Sequence, residues 1–302
     1  MHSTTFVTFV TRLPPYGFSM CRVPAVYLAC KGLLLFCLLL LLPMQLVWAD
    51  LMLNPTRVVL ENNQRSAKLD LINNGQETAT YRISLVNRRM GVNGGFTAID
   101  SPLSGEQFAD SMLRYSPRQV VLAAGEGQTV RIMVRKPADL AAGEYRSHLM
   151  FTRVPKAAGA SDIETQGNVK PSEVSIKLTV LIGASIPVIV RHGDTSAAVT
   201  LTNLTLLKPA VDQPPVVAVV LERSGNRSVY GDMVASFTPH GGAEQVIGKA
   251  GGVAVYTPNA SRRFRLTLQS GLELAHGTLS LSYRERPDAG GKLLAQTSIQ
   301  LP

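Results

Sequence analysis

Apolar and polar residues alternate along most of this chain, and a period of two is the signature of half-buried β-strands. Val130, Ile132 and Val134 stand against Arg131, Met133 and Arg135, and Phe264, Leu266 and Leu268 against Arg263, Arg265 and Thr267. Leu279, Leu281 and Tyr283 repeat the pattern, and Leu69 and Leu71 begin it. Between the runs stand turn signals, Asn73-Asn74-Gly75, Gly125-Glu126-Gly127, Ser224-Gly225-Asn226 and Gly290-Gly291, spaced too closely for helices.

Many short strands with such turns indicate an all-β chain of antiparallel sandwiches. About seven or eight strands are expected before Arg191 and about seven after it, which fits two immunoglobulin-like β-sandwich domains. Their expected spans are 50–191 and 192–302, divided near His192-Gly193-Asp194. The stretch from Lys156 to Pro171, rich in Ala, Gly, Ser and Asp, reads as a long loop inside the first domain.

Residues 1–49 carry Arg12, Arg22 and Lys31, no acidic residue, and the apolar run Leu33 to Leu42, the layout of a secretory signal peptide and leader. Val47-Trp48-Ala49 supplies small-residue cleavage chemistry, so a mature chain beginning at Asp50 is expected, with Met20 as the start of translation. The alternative is an uncleaved signal anchor. Cys21, Cys30, Cys37 and the single Trp48 all lie in the leader. The exported portion therefore has no disulfide, thiol nucleophile or thiolate metal site, and its stability must come from buried apolar area. Without the three leader cations it holds 27 basic and 21 acidic residues, a modest excess spread along strands with no aromatic interleaving. That pattern reads as solvated sheet faces, and no nucleic-acid partner is expected.

Signals for catalysis are weak. Gly242 to Gly248-Lys249-Ala250 has one residue too many for a phosphate loop, and Ala250 cannot ligate magnesium, so it reads as a plain loop. His148, His192, His240 and His276 are scattered, with no acidic cluster nearby, and no metal site is expected. No G-x-S-x-G elbow is present, and the carboxylates are dispersed. No enzyme and no cofactor are expected. Asn203-Leu204-Thr205, Asn226-Arg227-Ser228 and Asn259-Ala260-Ser261 spell glycosylation sequons, which matter only in a eukaryotic secretory pathway.

From Val174 to Ile182 a strand alternates Val174, Ile176, Leu178, Val180 and Ile182 with Ser175, Lys177, Thr179 and Leu181. Pattern alone reads this as an ordinary core strand; the functional alternative is an edge strand lent to a partner.

Several segments together carry a family resemblance. They are Asn54-Pro55-Thr56-Arg57-Val58-Val59-Leu60, Leu71-Ile72-Asn73-Asn74, Ser116-Pro117-Arg118-Gln119, Gly125-Glu126-Gly127-Gln128-Thr129-Val130-Arg131 and Gly143-Glu144-Tyr145-Arg146-Ser147-His148-Leu149, ending at Arg153-Val154-Pro155. In order and separation they resemble the PapD-like periplasmic chaperones of pilus and fimbrium biogenesis, which have two immunoglobulin-like domains set in an L. The resemblance covers most of the first domain and thins to a general sandwich pattern in the second. It implies donor-strand complementation: Val174, Ile176, Leu178, Val180 and Ile182 would enter the groove of a pilin subunit, which is then delivered to an outer-membrane usher. Five such side chains gross about 7–15 kcal/mol of apolar transfer, much of it offset by ordering and association costs. The free form is expected to self-associate through the same strand.

The family also holds the subunit's terminal carboxylate with two cations. Arg57 matches the first. The second position falls on Pro187 in Ser185-Ile186-Pro187-Val188, a departure similar to the archaic branch, so the clamp is either a single Arg or is completed by another cation such as Lys177 or Arg118. Glu144 and Arg191 match the family's interdomain hinge pair; as two exposed charges they would contribute under about 1 kcal/mol. The segment Leu221 to Gly231 has no role by chemistry beyond a tight hairpin turn. The expected protein is a periplasmic chaperone acting in cell wall organization. Its rivals are an exported immunoglobulin-like structural or adhesive surface protein, and an exported hydrolase whose groups meet only in three dimensions.

Overall fold

The structure, a computed structural model, describes residues 50–155, 183–207 and 213–302. Among the described residues are eighteen strands, two one-turn 3-10 helices and no α-helix, so none that could cross a membrane. The segment Lys156 to Pro171, the strand Val174 to Ile182 and the leader lie outside the described residues.

Two sheets face each other in the first sandwich. One has the order β1-β3-β9-β7, from β1 (Leu51–Asn54), β3 (Ser66–Asn73), β9 (Gly127–Val134) and β7 (Leu113–Ser116). The other, β2-β11-β10-β4-β8, is built from β2 (Val58–Leu60), β11 (Gly183–His192), β10 (Gly143–Val154), β4 (Ala79–Val86) and β8 (Gln119–Leu122). Their inward rows, including Leu69, Leu71, Val130, Ile132, Tyr81, Ile83, Leu149, Phe151 and Val188, form one core. The intervening Arg131 and Met133 stay exposed, as the alternation requires.

The first strand changes sheet. β1 pairs with β3, the chain bends through Pro55-Thr56-Arg57, and β2 then runs parallel to β11 with Val58 opposite Val188. This split, together with a two-stranded ribbon of β5 (Arg88–Met90) and β6 (Phe96–Ala98), gives eleven segments where seven or eight were expected.

Among the described residues the second sandwich has seven strands. β12 (Ala197–Leu207), β13 (Val216–Gly225) and β16 (Ser261–Thr267) make one sheet, and β15 (Gln245–Val255), β14 (Val229–Pro239), β17 (Gly277–Arg284) and β18 (Leu293–Leu301) the other. Its core holds Leu221, Met233, Leu279, Leu281 and Tyr283. The expected loop at Gly242 to Ala250 is corrected here, because most of it belongs to β15. Glycines conceal that strand in the sequence, and its register against β14 shifts twice. Gly248 sits close to the neighbouring strand's side chains, where a Cβ would come within 2.9 Å of the movable end of Leu268, Cδ2.

The outward row of the β2 sheet is covered by the second sandwich. Val59, Met90, Phe96 and Ile189 pack with Tyr230, Ala254 and Tyr256. The β5–β6 ribbon reaches across: Asn259 Nδ2 donates to the Met90 carbonyl at 2.8 Å, and the Arg263 amide to the Val92 carbonyl at 2.8 Å.

Candidate functional site

Arg57 ends the bend between β1 and β2, two residues before Val59, so its side chain joins the row facing the second sandwich. There it lines a cleft of about 750 Å³ whose walls include Val59, Glu61 and Arg191 from the first sandwich and Ser228, Tyr230 and Arg286 from the second. Arg57 Nη2 donates to Ser228 Oγ at 3.3 Å, and its guanidinium carbon lies 4.3 Å from the Tyr230 ring centre and 5.7 Å from that of Tyr256. Its Nε is buried without a partner among the described residues. A guanidinium offers five donors in a fixed fork, and two aromatic faces stabilise its charge while leaving most of those donors unused. The arrangement suits an anion with two oxygens in one plane, which a carboxylate supplies.

Glu144 and Arg191 are direct cross-strand partners on β10 and β11. Arg191 Nε donates to Glu144 Oε2 at 3.0 Å, and Nη1 reaches Glu61. Both members belong to the first sandwich. The exposed-charge picture is corrected, because Glu144 is wholly buried and the Arg191 side chain only 14 % exposed. Glu144 also acts across the joint, since its charge partly offsets the burial that lowers the pKa of Arg223.

Arg146 and His148 continue the Glu144 row along β10 and are likewise buried. The Arg146 guanidinium lies 4.2 Å from the Tyr256 ring centre and donates to the Arg88 carbonyl at 3.1 Å; burial pushes its pKa down. His148 stands edge-on to Phe96 at 5.1 Å, its Nδ1 buried without a partner. Burial, then the charges of Arg146 and Arg88, hold its pKa down at about 3, so it is neutral in the folded protein.

Val174, Ile176, Leu178, Val180, Ile182 and Lys177 lie outside the described residues. Arg118 is not a cleft cation: it is exposed on the β7–β8 turn, where Nη1 donates to the Tyr115 hydroxyl at 3.0 Å. Among the described residues, the cations that share the cleft with Arg57 are Arg191, Arg227 and Arg286. Sequence reasoning missed Ser228, Tyr230 and Arg286. The segment Leu221 to Gly231 reads in sequence as no more than a tight hairpin turn, and only the fold shows that its end turns Ser228 and Tyr230 toward Arg57.

Among the described residues no group of three or more His, Cys, Asp or Glu is placed to hold a metal ion. The site thus defines an all-β, two-sandwich protein with a guanidinium presented in the cleft between its halves.

No protein-family model and no curated protein matches the chain. Among solved structures it is similar to the YadV chaperone, at 13 % identity over 84 % of this chain and 100 % of that one, with a TM-score of 0.43. The complex of CsuC with CsuE, a chaperone and tip adhesion subunit of the archaic Csu pili of Acinetobacter baumannii, matches at 14 % identity, the same coverages and a TM-score of 0.43. The CupB2 chaperone of Pseudomonas aeruginosa matches at 12 % identity over 83 % of this chain and 100 % of that one, with a TM-score of 0.41.

Proposed function

We propose that the protein is a periplasmic chaperone of pilus assembly that binds the terminal strand of a pilin-like subunit along β11, holds its carboxylate at Arg57, and passes it to an outer-membrane usher. The observation that carries this reading is the position of Arg57 at the end of a sheet edge that is open among the described residues. One side of β11 is paired with β10 from Gly183 to His192, whereas the other is met by β2 only at Val188 to Val190. Between Gly183 and Pro187 that second edge carries no described strand, and Arg57 stands where β2 begins. An unpaired edge is a template for strand addition.

The direction of the added strand follows. A strand that lies along β11 from the Gly183 side and ends with its carboxylate at Arg57 runs parallel to β11. The family resemblance of the first sandwich supports the same reading. On it, Val174, Ile176, Leu178, Val180 and Ile182 are the side chains donated to the subunit, and self-pairing of the free protein through them is its corollary.

The test is capture of a subunit. Co-expressed with pilin-like subunits from its own genome, the chain should co-purify with one of them. Arg57→Ala should keep the wild-type melting temperature to within a few degrees and lose most of the captured subunit. Undiminished capture by the variant would remove the carboxylate anchor from the reading. A protein that is purely structural would show no capture in either form.

A further inference from the structure

The cleft offers three cations besides Arg57, and they differ in how far they are already engaged. Arg191 is tied to Glu144 and Glu61. Arg286 is held loosely: its nearest carboxylate oxygens, on Asp232 and Asp288, lie at 3.4 and 3.7 Å, against about 2.8 Å for a well-formed charge-assisted bond. Its side chain is 39 % exposed. Arg227 lines the same cleft and stacks on no ring among the described residues.

Arg286 and Arg57 share one platform. Their guanidinium carbons lie 6.0 and 4.3 Å from the centre of the Tyr230 ring. Both distances run to one point, so the two charges are no more than about 10 Å apart. A carboxylate bridging two guanidiniums, each at hydrogen-bond distance, holds their carbons about 8 Å apart. Glu61, Glu285 and Asp288 also line the cleft, but the carboxylates nearest Arg286 hold it only loosely, so an anion entering between the two guanidiniums gains from both, and Ser228, buried beside Arg57, fixes one of the two.

We infer that Arg286 is the second cation of the carboxylate site, with the Tyr230 ring as a common neighbour of both guanidiniums, so that the end of the bound polypeptide is read by both sandwiches at once. The inference rests on the carboxylate reading of Arg57. It gives the segment Ser228 to Tyr230 a binding role, and it explains how Pro187 can stand where the resembling family places a cation. A ligand held in this way spans the joint and ties the second sandwich to the first.

The experiment uses an acetylated decapeptide of alternating serine and valine with a free carboxylate, the same peptide amidated, and isothermal titration against the full mature chain. The wild type should bind the free acid at least tenfold more tightly than the amide. Arg286→Gln should reduce that preference about tenfold, and Arg286→Lys should restore part of it, with the melting temperature unchanged in both. If Arg57→Gln abolishes the preference while Arg286→Gln leaves it intact, or if Arg227→Gln takes it away in place of Arg286→Gln, the inference is overturned and the Arg57 anchor stands. If the wild type does not distinguish acid from amide, the anchor and the inference fall together.

Discussion

At the level of single residues, the side chains that matter most here are polar groups in places a sandwich would ordinarily fill with hydrocarbon. Glu144 is fully buried, with Oε2 bonded to Arg191 and Oε1 without a partner. A buried pair of this kind contributes little net stability, yet removing one member strands the other charge, at about 3–5 kcal/mol. Arg191→Met should therefore destabilise the first sandwich by about 3 kcal/mol or more in urea unfolding, because the buried Glu144 carboxylate loses the cation it is bonded to. Glu144→Gln, which removes the buried charge itself, should cost distinctly less. Equal losses from the two variants would show that packing, and not charge, is what the pair supplies. Asn73 is a different case: read as part of a turn signal, it is wholly buried and donates Nδ2 to the carbonyls of Glu77, Leu122 and Ala123 at 2.8–3.0 Å. It clamps the loops after β3 and β8 together, which no local pattern reveals, since its partners lie up to 50 residues away.

Among the elements, β14 shows how closely the second sandwich is assembled. A Cβ on Gly231 would lie 2.0 Å from the Arg284 carbonyl oxygen on β17, a backbone atom that cannot swing aside. Gly231→Ala should force β14 and β17 apart and cost about 3 kcal/mol or more, read as a fall in melting temperature. Gly291→Ala is the control: its φ of +67° strains any L side chain, but nothing lies near it, so the loss should stay near 1–2 kcal/mol. If both variants melt alike, the close approach at Gly231 is relieved by relaxation. Strands with a strict apolar row, such as β9 and β17, were legible in the sequence because burial on one face writes itself into a period of two. β15 was not legible, since its glycines answer to neighbours on other strands. The β5–β6 ribbon was missed for a related reason: Gly94 lies against the Arg262 guanidinium of the second sandwich, a contact set by tertiary structure alone. Arg57 and the Glu144–Arg191 pair could be singled out beforehand only through family resemblance. Tyr230 and Arg286 could not, because the cleft brings together segments more than 50 residues apart.

For the molecule as a whole, the joint between the sandwiches combines a small apolar cluster with a buried polar row, Glu144, Arg146 and His148, and that composition makes it sensitive to acid. His148 carries the effect. In the unfolded chain it titrates near 6.5, whereas in the fold burial and the charges of Arg146 and Arg88 hold it at about 3. Between these values the unfolded chain binds a proton that the folded chain excludes, so stability rises with pH across the window. The contribution is fully present above about pH 6.5 and is lost progressively as the pH falls toward 3, at up to about 1.4 kcal/mol per pH unit. Glu106, whose pKa is lowered by its hydrogen bond from Arg89, adds acid sensitivity of the same sign, but only below its ordinary value of 4.5. Urea midpoints between pH 7 and 5 therefore isolate the histidine. The wild type should weaken steadily over that range, and His148→Gln should follow a flatter line, with Glu106→Gln unchanged from the wild type until lower pH. Parallel lines for wild type and His148→Gln would mean that the histidine gains a proton without leaving its site, and that the joint admits enough water to solvate it beside Arg146. A divergence confined to His148 would instead identify the dry packing of Phe96 and Tyr256 around that row as what sets the acid limit of the joint.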